Sequence, residues 1–572
     1  MASHTPLFDE ALRTHLAERT PGTRICPESN AAWEFTEAMK QRCEAYHIPP
    51  STLAPLTRLQ HTRVFMCGPD FYQRVLKDGR SLITTYDPDS PVSLLSSKEW
   101  NQEQLQDGLL RFGQKVNPSQ PFFEQWERFS KNVPRPALLQ DGVSENSDWS
   151  AFCIEVKNDY YGYSCSYSND CFYCEYQSAD QHCVDLTACD RAQWSYDCVR
   201  SDDISQVFWS ERCFQSVNLT LCLNCDNCQD CFGCTNLKNK RYCFLNEQLT
   251  KEDYLARVAG IDLGDHSVVQ QWRERIHREL WQKADRRALF TLNTERSLGD
   301  DLIESRDVEG VSLGECERTY NAFGMYQAKD CTDIIGCLQT ERCHYSQHLV
   351  NGYEVRFSSF CTRCVDVEYS ELLTDCEHFF GCIGLTKKKF CIFNVQYTEE
   401  AYWPLVDALK TAMLKRGEYG EFFPYSSSLV AYNSSNADIF FPLSKEEVVR
   451  RGARWFDFSH PRATQSMAET HTLPNKLQET TDEVLTQSFV CEASGRRYRI
   501  VKPELEWHRK FNLALPRLHP TVRRKLRSTE MYPLTFSETT CAECAAKTQT
   551  RIPLSRGYRI LCEPCYVRKQ LA

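Results

Sequence analysis

Thiols recur in a strict three-residue phase through two long stretches of this chain. Fourteen cysteines from Cys153 to Cys243 all occupy positions divisible by three, and nine from Cys316 to Cys391 all leave remainder one. A backbone that holds this phase presents one residue in three to a common environment. The α-helix is excluded, because three residues advance it by about 300° and the stripe would circle the axis. A plain strand alternates with period two. A 3₁₀ helix rarely continues beyond a turn or so, and these segments lack the Pro or Gly richness of polyproline II. What remains is a coiled, short-edged solenoid, in which each small segment turns one side chain inward and stacked neighbours bury it.

A duplication supports this. Moving the first stretch by 148 residues sets Cys183, Cys189, Cys213, Cys228, Cys234 and Cys243 on Cys331, Cys337, Cys361, Cys376, Cys382 and Cys391. The ends agree too: FGCTNLKNKRYCFLNEQLTKEDY (232–254) meets FGCIGLTKKKFCIFNVQYTEEAY (380–402). Both copies are expected to close on a short helix, at Lys251–Arg257 and Glu399–Leu409.

The mismatches indicate what the thiols do. Cys198 and Cys222 face Ser346 and Ser370, while Cys316, Cys343 and Cys364 face Ser168, Ser195 and Ser216. Cys225 faces Leu373, and Leu186, Ile204, Val207 and Leu219 share the phase. A free cysteine is a small buried hydrophobe, so these exchanges suit a core and not a ligand set. The rival reading is the unbroken CxxC run Cys222, Cys225, Cys228, Cys231, Cys234, whose spacing resembles an iron–sulfur or thiolate cluster loop. The usual closing Cys-Pro is missing, however, and the duplicate keeps only Cys376 and Cys382.

The strongest chemical motif lies in the tail. Cys541-Ala-Glu-Cys544 and Cys562-Glu-Pro-Cys565 have the C-x₂-C-x₁₇-C-x₂-C spacing of a four-thiolate structural zinc ribbon. Four thiolates close a tetrahedron and leave no open position, so one Zn²⁺ is expected to hold the fold and not to catalyse. The residues between the pairs read as a β-hairpin. Ahead of them, Arg517, Arg523, Arg524, Lys525 and Arg527 make a dense cationic patch. From Cys491 onward there are seventeen Lys plus Arg against seven Asp plus Glu, in a chain of net charge −10. An acidic body with a basic tail points to an anionic partner, a nucleic acid or an acidic protein. The bland alternatives are a solvated surface and a dock for the acidic body of the same chain.

A worn copy of the tail module sits at the other end. At a constant offset of 465 residues, Cys26, Ser29, Pro55 and Arg58 meet Cys491, Ser494, Pro520 and Arg523, but the ligand positions read Leu76, Gly79, Ser97 and Trp100. Apolar packing is expected to replace the metal there.

FGCxxLxxKx[YF]CxxNxQxTxExY in both stretches, together with the C-x₂-S-G…CxxC…CxxCY tail, resembles a family of uncharacterised Cys-rich zinc-ribbon proteins from bacteria with reduced genomes. The resemblance implies this architecture and zinc, and no activity. The chain departs from it in the N-terminal ribbon, which normally bears cysteines.

The expected fold is therefore mostly β with helical connectors: two tandem Cys-lined β-solenoid-like repeat blocks flanked by ribbon-like α+β modules. The expected divisions are 1–105, a ribbon-like module without metal; 106–260, block 1; 261–410, a helical connector and block 2; 411–484, a connector and linker; and 485–572, the basic zinc-ribbon module. A Walker loop, a dinucleotide Gly-rich turn, HExxH and G-x-S-x-G are absent from the sequence, and an enzyme is not the leading reading. No run of eighteen apolar residues or hydrophobic N-terminal segment is present, so a cytoplasmic binding protein or scaffold is expected. The alternative is a metal-cluster or redox protein using the Cys222–Cys234 run.

Overall fold

The computed structural model describes residues 3–142, 144–292, 366–458 and 470–571, with short backbone stretches between 298 and 358. The expectations for the side chains of Cys316, Cys331, Cys337, Cys343, Cys361 and Cys364 lie outside the described residues, as does 459–469 of the expected linker.

The three-residue period has a backbone origin. From Phe152 to Leu245 every third residue is left-handed, with φ between +47° and +63°. Asn and Asp tolerate that region, but Tyr, Trp and Arg do so only where surrounding structure compels them. The compulsion is hydrogen bonding to the chain ahead and behind, joined at many triplets by a third bond from the inward N–H. One N–H donates to the chain ahead, as Lys157 N does to Ser168 O at 3.0 Å, and the left-handed residue donates to the chain behind, as Asn158 N does to Glu145 O at 2.9 Å. The third points inward and needs a side-chain acceptor. Ser201 Oγ takes Cys213 N at 3.1 Å, and Cys174 Sγ takes Leu186 N at 3.5 Å.

That inward donor explains the composition of the core. A thiol or hydroxyl there accepts the N–H and donates to a carbonyl in turn; Cys198 Sγ lies 3.4 Å from Tyr196 O and 3.2 Å from Val207 O. Aliphatic residues fill positions between them. The result is a buried cluster of Cys153, Cys165, Cys171, Cys174, Cys183 and their successors with Leu186, Val207 and Leu219.

The chain returns on itself every twelve residues. Leu186 pairs with Cys198, Leu219 with Cys231 and Cys231 with Cys243, all between parallel strands. Isolated bridges such as Lys157↔Asn169 and Asn169↔Gln181 keep the same step. The strands form one twelve-stranded sheet ending at Glu247–Gln248. The last turn of each block is closed by a shared NxQ motif, where Asn246 Oδ1 takes Thr235 N at 2.8 Å and Asn394 Oδ1 takes Ile383 N at 2.8 Å.

Helices are more extensive than the sequence suggests. The closing helices run Lys251–Ala259 and Glu399–Arg416, and His266–Glu279 follows the first. An aromatic column on block 1, including Phe208, Phe232 and Phe244, packs with Val269 and Ile276 of that helix and with Trp507 and Phe511 of Lys502–Phe511. In place of a mostly β chain, the architecture is mixed α/β: a large, mainly parallel sheet with helical connectors.

Contacts gather the chain into two compact units that cut across the expected divisions. One comprises Met1–Ala137 with Phe290–Phe456, and the other Leu138–Leu289 with Asp457–Ala572. Each unit therefore combines one triplet block with one terminal module: the first module with the second block, and the last module with the first.

Candidate metal centre

The tail module is built around a knuckle. Strands Ser537–Thr540 and Lys547–Thr550 pair antiparallel and flank the turn that carries Cys541 and Cys544. Cys541 N donates to Ala546 O at 2.8 Å, and Ala545 takes the left-handed conformation that closes the turn. The expected hairpin between the two cysteine pairs does not form. Its first half pairs with the strand before Cys541, while Arg559–Leu561 runs parallel to Asp285–Arg287, ahead of the second block. That strand ends at Cys562, and the helix Glu563–Leu571 carries Cys565. A hydrogen bond from Ala542 N to Ile560 O, 2.9 Å, ties the two pairs together.

The four thiols converge. Their sulfur atoms all lie within 4.8 Å of one another, and Cys544 Sγ is 3.6 Å from Cys562 Sγ. Tetrahedral zinc with Zn–S near 2.3 Å places its sulfurs about 3.8 Å apart, so the set fits a four-thiolate ion. Burial pushes the Cys541 thiol up, but the N–H groups of Cys544, Cys562 and Glu543 outweigh it and hold the group at about 6. Arg568 Nη2 donates to Cys565 Sγ at 3.1 Å and offsets part of the thiolate charge. Cys541 and Cys565 are buried, Cys562 is half-buried and Cys544 is exposed. The chain thus holds a four-cysteine group positioned to bind a metal ion. Among the described residues, it is the group of three or more Cys, His, Asp or Glu that meets so closely.

The Cys222, Cys225, Cys228, Cys231, Cys234 run is not assembled in this way. Each of these thiols donates to the carbonyl two residues before it, at 3.4 to 3.6 Å, and is buried. They are packed side by side in a core, each directed at a backbone carbonyl.

The cationic patch faces inward. Arg523, Arg524 and Arg527 lie on the helix Pro520–Thr529 and are only 7%, 8% and 4% exposed. Arg523 Nη1 donates to Asp185 Oδ2 at 2.5 Å and Arg527 Nη1 to Asp185 Oδ1 at 2.7 Å. Arg523 also reaches Glu504 at 3.3 Å, and Arg524 Nε lies 3.9 Å from Glu175 Oε2. Arg517 is half-buried, hydrogen-bonded to Asn475 and 3.6 Å from Glu492, whereas Lys525 is exposed. Arg523, Arg524 and Arg527 are thus paired within the chain: a buried guanidinium needs a buried carboxylate, and block 1 supplies Asp185 and Glu175. Asp185, Glu175 and Glu504 were not singled out from the sequence. The available clue was Asp185 in a twelve-residue column with Tyr161, Tyr173 and Trp209, legible only once the step is known.

The N-terminal module keeps the register without the ligands. Helices Glu37–Ala45 and Pro55–Arg63 match Lys502–Phe511 and Pro520–Thr529, and Leu94–Leu95 pairs with Arg135–Pro136 as Arg559–Leu561 pairs with its partner. The knuckle is one residue shorter, closed by Leu76 N to Arg80 O at 2.7 Å. Trp100 is buried against Gly384, where an added Cβ would meet its ring at 2.5 Å. An indole packed on a glycine therefore stands where Cys565 stands in the other copy.

No protein-family model matches the chain, and neither a curated protein nor a solved structure is significantly similar to it. No helix among the described residues is long and apolar enough to cross a membrane.

Proposed function

We propose that the protein is a non-enzymatic, zinc-stabilised scaffold of the cytoplasm. In this reading the triplet blocks are β-solenoid-like bodies, and Cys541, Cys544, Cys562 and Cys565 hold one structural Zn²⁺. The observation that carries the zinc is the convergence of four thiols, two from a knuckle and two from a strand-to-helix junction, on one point. Four sulfurs leave no position for a substrate, which supports a structural ion. The parallel register with its constant twelve-residue step supports the solenoid.

The anionic partner of the basic tail is in the first place the acidic block of the same unit, through Arg523 and Arg527 on Asp185. An external nucleic acid or acidic protein would have to be held by what is left, and of the five patch residues Lys525 alone is exposed. The test is a Cys544→Ser/Cys562→Ser variant of the full chain, which should lose one equivalent of zinc and become protease-sensitive across 537–571. Unchanged zinc content would remove the ribbon reading. In parallel, retention on RNA should be weak and vanish with salt. Tight retention independent of salt would remove the scaffold reading in its intramolecular form.

A further inference from the structure

Access separates one cysteine from the rest. Among the described residues Cys544 alone is exposed, Cys43 and Cys562 are half-buried, and every other thiol is buried. Those of block 1 face backbone carbonyls, as Cys213 Sγ faces Glu211 O at 3.6 Å. Burial pushes the Cys43 thiol up to about 11, away from the thiolate form. Oxidation of a cysteine needs a thiolate that a small oxidant can reach. Chemistry with an outside oxidant is therefore confined to the tail.

Cys544 has a second sulfur in reach. Its Sγ is 3.6 Å from Cys562 Sγ, and closing that gap to the roughly 2.0 Å of a disulfide asks for a small movement only. The two sulfurs belong to different halves of the module, one to the knuckle turn and one to the strand-to-helix junction. The junction is anchored: Arg559–Leu561 pairs with Asp285–Arg287, Ala288 N donates to Leu561 O at 2.9 Å, and Arg559 Nη1 donates to Asp285 Oδ1 at 2.8 Å. The knuckle reaches it through Ala542 N to Ile560 O, 2.9 Å, and through the four sulfurs. A bond between Cys544 and Cys562 therefore joins the same two halves that a shared ion joins.

We propose that Cys544 and Cys562 are a modification site, at which hydrogen peroxide replaces the metal link between knuckle and junction by a disulfide. This rests on the four-thiolate zinc reading above. The Cys544 thiolate attacks the peroxide; the O–O bond breaks, the sulfur becomes a sulfenic acid and hydroxide leaves. The Cys562 thiolate then attacks that sulfur, the S–S bond forms and a second hydroxide leaves. Two thiolates are oxidised and one peroxide is reduced. Cys541 and Cys565 alone supply two ligands of four, so the ion is released and these two sulfurs take up protons. The oxidised tail is free of metal and still tied.

The experiment is stepwise addition of hydrogen peroxide to the zinc-loaded full chain. Released zinc is read by a chromogenic chelator, and the cysteines by alkylation and peptide mapping. One equivalent of zinc should leave for each Cys544–Cys562 disulfide, with the thiols of block 1 recovered reduced, and dithiothreitol should restore zinc uptake. Hydrogen exchange should find Ser537–Thr540 and Lys547–Thr550 still protected in the oxidised chain, whereas chelation of the reduced chain exposes them. Zinc retained under peroxide, a Cys541–Cys544 bridge, an unprotected oxidised knuckle, or oxidation that begins in block 1 overturns the proposal and leaves the ribbon reading intact. A chain that takes up no zinc but still closes Cys544 on Cys562 does the reverse: it removes the ribbon reading and keeps the oxidation site.

Discussion

In the triplet block each thiol looks at a carbonyl; in the tail the thiols look at each other. Cys213 Sγ points to Glu211 O at 3.6 Å, whereas Cys544 Sγ meets Cys562 Sγ at 3.6 Å. The distances match and the chemistry does not. A carbonyl beside the thiol gives its S–H an acceptor and makes it a small donor that serine can replace. A ring of four sulfurs around one point, fed by backbone N–H groups, favours thiolates and a cation. CxxC spacing is common to both, so spacing alone does not separate packing from coordination. What separates them is whether the backbone curls back within a knuckle or advances by a side of the turn.

The sharpest way to break the comparison is to remove the metal. Chelation at neutral pH should unfold the tail knuckles while the triplet block keeps its far-ultraviolet dichroism. Structural zinc contributes apparent free energies of roughly 10–16 kcal/mol in small zinc modules. Hydrogen exchange localises the effect: protection should vanish in Ser537–Thr540 and Lys547–Thr550 and persist in Arg241–Phe244. Loss of protection in both regions together would mean that the interior thiols also depend on metal for folding.

Second in size is the charge that holds the tail module on its block. Asp185 is 1% exposed and takes both Arg523 and Arg527. Asp185→Asn leaves two buried guanidinium groups short of a counter-charge, which should cost about 3–5 kcal/mol in urea unfolding of the full chain. A loss below about 1 kcal/mol would be the behaviour of an exposed pair, and the cationic patch would again be free for an outside partner.

These arginines also mark where sequence reading stopped. The period, the duplication and the four converging cysteines are legible because each is a pattern along the chain. The twelve-residue return is not, since Cys and Ser occupy all sides of the turn alike and nothing marks where it closes. The left-handed residues gave no glycine signal: Tyr173, Trp194 and Arg212 occupy them as readily as Asn224. The arginine run points in sequence to an anionic partner, with the acidic body of the same chain only one alternative, because nothing along the chain marks which carboxylates it meets. Yet Arg523 and Arg527 are one helical turn apart on a helix whose Leu526 is 55% exposed. An inverted amphipathic helix of this kind makes sense only beside Asp185 and Glu175, more than 330 residues earlier.

The smallest effects probe the interior thiols themselves, and Cys234 is the position to use. It accepts Asn246 N at 3.4 Å, and its single S–H faces Phe232 O and Cys243 O, both at 3.4 Å. Cys234→Val preserves the apolar character but leaves the Asn246 N–H buried without an acceptor, which should cost about 1–3 kcal/mol. Cys234→Ser keeps acceptor and donor and gives up only polarisable volume, so its loss should stay within about 1 kcal/mol. The order of the two variants is what matters. If thiols fill the core merely as hydrophobes, valine is the milder change; if they answer the inward N–H of each triplet, serine is. The exchange of Cys222 for Ser370 between the blocks agrees with the second, because Ser370 Oγ accepts Cys382 N at 2.9 Å just as Ser210 Oγ accepts Cys222 N at 3.0 Å.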